Sequence, residues 1–246
     1  LLEYRFYTLY GARKKAADNG YEGAMYPWES AWTTDDEVTP STALMALQEH
    51  HITADVAYGV YYYYCVTRDE DFMEKYGYEI IFETAKFWQS RVTYNMELDR
   101  YEILGVIGPD EFTHDADNNA FTNYLAGLNM KLAIEYYNRL KTENEPLFVR
   151  LDQKLGLNVF YDKLVEKAEK LYLPKENEDL IVPQDDTYLT LPEIDLTPYR
   201  AGVKKLRQDY KNYSYSKLQV SKQADVMVLF LLLEDLFPQE VKRRNF

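Results

Sequence analysis

Residues 41–67 read STALMALQEHHITADVAYGVYYYYCVT. Leu44, Leu47, His51, Ala54, Tyr58 and Tyr62 recur at three- and four-residue spacing, which predicts one helix from Ser41 to Thr67. Its last part, Tyr61 to Tyr64, is aromatic on every side, so the helix is expected to pack on more than one face. The same period predicts helices over Leu2–Asp18, stopped by Asn19-Gly20, over Asp69–Tyr76, ending at Gly77, and over Tyr78 to about Tyr94. Further helices are predicted near Asn119–Leu140, Pro146–Leu155, Val159–Leu173 and Ser221–Leu236, the last stopped by Pro238. Arg100–Ile107 reads as a short strand or extended loop, and Pro174–Tyr199, with four prolines, reads mostly as loop. No heptad is sustained, so the class is all-α, an α-barrel or toroid of helical hairpins in preference to a coiled coil.

Composition bounds the function. With 46% hydrophobic and 15% aromatic residues, the 246-residue chain supports one globular unit with a substantial core. A net charge of −13 with no basic patch beyond Lys242-Arg243-Arg244 argues against nucleic acid as a partner. The one cysteine, Cys65, leaves no internal disulfide and fits a reducing compartment. No apolar run approaches the ~20 residues a membrane span needs, and no signal peptide is visible. The chain starts at Leu1 inside an expected helix and stops at Phe246 with no closing element, so a domain incomplete at both ends is expected.

Gly108-Pro109-Asp110-Glu111-Phe112 puts a carboxylic acid on a glycine-proline loop ahead of Asp115-Ala116-Asp117-Asn118-Asn119. A general acid needs a pKa raised by apolar or anionic neighbours, and Asp110, Phe112 and Asp115 could supply both effects. Equally, Asp110-Glu111 could add negative charge at the start of the following helix. Trp28-Glu29 pairs an indole face, suited to stacking on a sugar ring, with a carboxylate that accepts from hydroxyls. Taken alone, the pair also fits a core tryptophan beside a surface glutamate. Lys222-Gln223-Ala224-Asp225 places polar side chains at the start of the last helix, as sugar contacts or as a solvated first turn. Three histidines, with His51 on the apolar stripe, and no cysteine pair leave no metal-binding spacing. Asp115-x-Asp117-x-Asn119 is no calcium loop, because Ala120 and Ala126 replace the required glycine and glutamate.

Together, Gly20-Tyr21-Glu22-Gly23-Ala24 with Pro27-Trp28-Glu29-Ser30, Gln48-Glu49-His50-His51-Ile52-Thr53-Ala54-Asp55, Gly108-Pro109-Asp110-Glu111 with Asn118-Asn119-Ala120-Phe121-Thr122-Asn123, and Lys222-Gln223-Ala224-Asp225-Val226 resemble glycoside hydrolase family 65. These are disaccharide phosphorylases acting on maltose, trehalose, kojibiose and related α-glucosides. The resemblance implies an (α/α) six-hairpin barrel, of which residues 1–246 would be the central part of the catalytic domain. It implies inverting phosphorolysis, with Glu111 as general acid and inorganic phosphate as co-substrate, giving β-glucose 1-phosphate and a free acceptor. Trp28, Glu29, Lys222 and Gln223 would line the sugar site. Thr53 would face the acceptor, in a stretch nearer the kojibiose-type members than the maltose-type ones. No cofactor and no metal are implied, and a cytoplasmic homodimer is.

Departures bear on these expectations. Thr113 stands where members often carry histidine, with His114 one step later. The family's Trp-Asp donor motif and its phosphate loop are expected before Leu1 and after Phe246, so the chain alone is expected to be inactive. Two other readings stay open: a trehalase-like inverting hydrolase on the same fold, and a non-catalytic sugar-binding helical module.

Overall fold

The computed structural model describes residues 1–31, 36–200 and 214–246, and within them the regular structure is mostly helical. The elements are α1 Leu2–Tyr7, α2 Leu9–Asp18, α3 Leu44–Gln48, α4 His51–Thr67, α5 Glu70–Phe72, α6 Tyr78–Arg91, α7 Ala120–Glu143, α8 Glu145–Leu155, α9 Leu157–Lys170, α10 Thr197–Arg200, α11 Asp225–Leu232 and α12 Gln239–Asn245. Strands β1 Thr93–Asn95 and β2 Arg100–Glu102 form an antiparallel hairpin, with Tyr94 opposite Tyr101.

The helix predicted from Ser41 to Thr67 is two helices. In a continuous helix the Leu47 carbonyl would accept from the amide four residues on. Instead the His50 ring nitrogen Nε2 bonds to Leu47 O at 2.8 Å, and the Gln48 carbonyl accepts from Ile107 N at 3.1 Å. Side-chain and loop donors thus take the carbonyls that would have carried the helix through Glu49 and His50. The break also turns the apolar stripe. His51 and Ala54 are buried, while Leu44, Leu47 and Tyr62 are exposed and the inward face of α4 runs through Ala57, Val60 and Tyr64. Of Tyr61 to Tyr64, only Tyr64 is buried.

Other boundaries moved for local reasons. The first helix is distorted at Thr8 but keeps its ladder, since Thr8 N bonds Tyr4 O and Ala12 N bonds Thr8 O. Gly77 does not end a helix: the chain runs from α5 through a π-helical turn, Met73–Gly77, into α6. A Cβ there would lie 2.5 Å from Met73 Sδ, so this glycine serves close packing. The last predicted helix starts only at Asp225, and α12 follows Pro238 where no element was expected.

The core centres on α6 and α7. α7 packs on α4, α6, α8, α9 and α11, and α6 is buried on nearly every face, with Ile80, Ile81, Phe82, Phe87 and Trp88 inaccessible. Each such side chain contributes roughly 1.5–3 kcal/mol by leaving water. This packing brings the starts of α4, α7 and α11 together. Asn119, capping α7 through Thr122 N at 2.9 Å, donates Nδ2 to the Asp225 carboxylate at 2.9 Å, and the rings of His51 and Phe121 meet edge to face at 5.5 Å.

Candidate active site

The loop from Val106 to Asn118 lies across these helix starts. Ile107 and Asp115 are pinned to Gln48, Val106 pairs with Ala116, and Asn118 N donates to Ile103 O at 2.8 Å. Asn118, at φ 54, also donates to Asp186 at 2.8 Å and accepts from Asn123 at 3.1 Å, so the asparagine run secures the loop. Gly108 is required by proximity. A Cβ there would sit 2.3 Å from Asp225 Oδ2 and 2.4 Å from Asn119 Nδ2.

The loop presents Glu111, whose side chain retains 20% of its exposure. Gln223 Nε2 donates to its Oε1 at 2.7 Å, and Lys222 Nζ lies 2.9 Å from its Oε2. The Glu111 amide in turn approaches Gln223 Oε1 at 3.4 Å. Three of the residues singled out in the sequence therefore meet at one carboxyl group. The setting differs from the expected acidic one: the Asp110 carboxylate is turned to Lys222 N, Phe112 N and Gln184, and that of Asp115 to Gln48. Nor do Asp110 and Glu111 cap α7, since Asn119 does. Thr113 is buried against Gln184, and His114 bonds back to Glu111 O at 2.9 Å. Phe112 stacks on Tyr215, 4.4 Å between centroids, beside the acid.

Trp28 and Glu29 form a separate wall. Glu37 accepts from both of their amides, at 2.8 and 2.9 Å, and is paired with Lys15. Burial pushes the Glu37 carboxyl up, but the Lys15 and amide contacts win and hold it below its ordinary range. Glu29 is exposed, accepting from Thr39 Oγ1 at 3.2 Å, and the indole of Trp28 is half-buried. Among the described residues no hydrogen bond, ion pair or ring contact joins this wall to Glu111. Thr53 is fully buried, its Oγ1 accepting from Tyr26 N at 3.0 Å, so it anchors the stretch of chain carrying Trp28.

Beneath Glu111 lies a buried acidic layer that periodicity could not reveal. Burial pushes the Asp225 carboxyl up to about 7, with the Asp110 charge adding to it. Burial also raises Glu49, which lies within electrostatic reach of Glu111 and Lys222. His51 sits between Asp55, at 2.7 Å, and Glu49, at 3.6 Å. Burial opposes its charge, yet the two carboxylates hold it up to about 9. His50 behaves oppositely, pushed down to about 3 by burial and by Arg91, whose Nε donates to it at 3.0 Å. Gln184, from the proline-rich loop, carries no sequence signal beyond that loop's length. Among the described residues no group of three or more His, Cys, Asp or Glu is arranged to hold a metal ion.

The model of the glycosyl hydrolase family 65 central catalytic domain matches residues 1–246. A kojibiose phosphorylase of Halothermothrix orenii is 44% identical over 261 residues, covering 100% of this chain and 33% of the relative. An alpha,alpha-trehalose phosphorylase of Thermoanaerobacter brockii is 33% identical over 250 residues, covering 100% of the chain and 32% of the relative. A kojibiose hydrolase of Flavobacterium johnsoniae is 47% identical over 133 residues, 54% of this chain and 19% of that protein. The chain thus spans about one third of the length of the phosphorylases it matches. A solved structure from the human microbiome, assigned as a kojibiose phosphorylase, superposes with a TM-score of 0.86 at 24% identity, covering 100% of this chain and 35% of that one. It shows a shared fold, of which these helices are a part consistent with an (α/α) barrel.

Proposed function

The chain belongs to glycosyl hydrolase family 65, and on that premise we propose that the protein carrying it is an inverting disaccharide phosphorylase acting on an α-glucoside of the kojibiose type. Glu111 is the general acid. It passes its proton to the glycosidic oxygen as the C1–O bond breaks, and the acceptor sugar leaves with that oxygen. A phosphate oxygen attacks C1 from the opposite face, so the product is β-glucose 1-phosphate. Lys222 and Gln223 orient the acid and meet the sugar hydroxyls, and Trp28 and Glu29 supply the stacking wall. The proposal extends to a homodimer in the cytoplasm, as the family resemblance implies; no described helix is long and apolar enough to cross a membrane.

One observation carries this reading: a single part-buried carboxyl group holds the side chains of Lys222 and Gln223 on its two oxygens. The test is turnover of kojibiose by the full-length protein, with and without phosphate. The expected result is phosphate-dependent release of glucose and β-glucose 1-phosphate. With Glu111→Gln, turnover should fall at least about 100-fold while binding of the disaccharide persists; full turnover by that variant sinks the assignment of the acid. A second reading, hydrolysis on the same fold, is favoured by the identity to the kojibiose hydrolase. Glucose release at an equal rate without phosphate would select it.

A further inference from the structure

Asp110 stands next to Glu111 but has no part in the chemistry proposed above. It is fully buried, and among the described residues no ion pair is formed with it. Its charge is answered by neutral donors instead. Oδ1 accepts from Lys222 N at 2.8 Å and Phe112 N at 3.2 Å, and Oδ2 accepts from Gln184 Nε2 at 3.0 Å. A buried carboxylate is costly unless hydrogen bonds satisfy it, so this one holds its surroundings tightly. Gln184 is itself fixed. Its Oε1 accepts from Ser221 at 3.4 Å, and its Nε2 also reaches Thr113 Oγ1 at 3.1 Å, leaving only donors turned toward Asp110. Only an acceptor-only side chain satisfies both sides, which an asparagine amide does not.

We propose, resting on the reading of Glu111 as the acid, that Asp110 is a positioning residue that sets the acid against Lys222 and Gln223. The covalent frame is short. Asp110 is bonded to Glu111 through one peptide, and its carboxylate grips the backbone of Lys222, the residue before Gln223. That grip joins the acid's loop directly to the backbone of its two partners, where the Glu111 amide reaches only the Gln223 side chain and the Asp110 amide only that of Asp225. Misplacement of a catalytic group by about 1 Å costs on the order of 100-fold in rate.

The experiment uses the full-length protein and two donors in the presence of phosphate. Kojibiose needs a proton delivered to its leaving oxygen. α-Glucosyl fluoride does not, because C1–F breaks to release fluoride as phosphate bonds to C1. Asp110→Asn should lower kcat on kojibiose about 10- to 100-fold, with kcat on the fluoride changed less than about 3-fold. Gln184→Met, which removes the facing donor and leaves Asp110 intact, should show the same split to a smaller degree and covers the case in which Asp110→Asn does not fold. Equal losses on both donors, or no loss on either, overturn the assignment. Glu111→Gln serves as the control. If it is impaired and neither Asp110→Asn nor Gln184→Met is, the positioning role alone falls; if Glu111→Gln keeps full turnover on kojibiose, the acid reading falls and takes this one with it.

Discussion

Gln223 donates its side-chain amide to Glu111 at 2.7 Å across 112 residues of chain. If that bond orients the acid, Gln223→Leu, which keeps the bulk and removes the donor, should lower kcat/KM on a disaccharide about 10- to 100-fold. Steady-state kinetics on the full-length protein measure it. An unchanged kcat/KM would remove Gln223 from the site.

Gly108→Ala should be among the most damaging single changes in the loop. Its Cβ would meet the Asp225 and Asn119 side chains at 2.3 and 2.4 Å, and overpacking of this kind costs about 1–3 kcal/mol. Calorimetry should show a lowered Tm. The remedy is specific too, because Asn119→Ala in the same background clears part of the clash and should recover part of the loss.

The buried acidic layer gives stability a pH dependence of definite sign. Asp225 ionises in the folded chain only near 7, because burial disfavours the charge, against an ordinary value of 3.8. Between those values the folded chain binds a proton that the unfolded chain has lost, so stability falls as pH rises. At about 1.4 kcal/mol per pH unit the fall is at most about 4 kcal/mol. His51, held up to about 9 from 6.5, is stabilising below the lower value and loses that contribution as pH rises through the upper one. Denaturant titrations of Asp225→Asn across pH 4 to 9 should show a flattened slope up to about pH 7 and a retained decline above it. Asn119, the Asp110 amide and His51 all face this carboxyl group, so substituting Asn119 or His51 should shift the same window.

Thr53→Val removes a hydroxyl and keeps the shape. It strands the Tyr26 amide in a fully buried place, which costs roughly 1–3 kcal/mol. Chemical denaturation should show that loss, with acceptor preference among disaccharides unchanged. A changed acceptor preference at full stability would instead support the sequence-based reading of Thr53 as a sugar contact.

The helices were legible where one physical cause acted alone. Period and caps placed α7 and α9 to within a few residues, and the family motifs named Glu111, Lys222 and Gln223, which do converge. What stayed hidden came from groups distant in sequence. The division between α3 and α4 depends on Arg91 and Ile107, and the burial of Thr53 depends on Tyr26. Gly77 carried the usual mark of a helix end, yet it serves the fit of Met73. Gln184 gains its meaning only from the Asp110 carboxylate and Asp225 only from the Asn119 amide, since an isolated glutamine in a proline-rich loop has no period to betray it.

Arg91, at the end of α6, donates to the His50 ring and to the Leu104 carbonyl. One guanidinium thus sets both the turn that opens α4 and the chain leading to Gly108. A genetic screen for lost activity should therefore recover Arg91 alongside Glu111, although Arg91 is buried in the core. In evolutionary terms, the loop can change its chemistry only as fast as the scaffold beneath it permits.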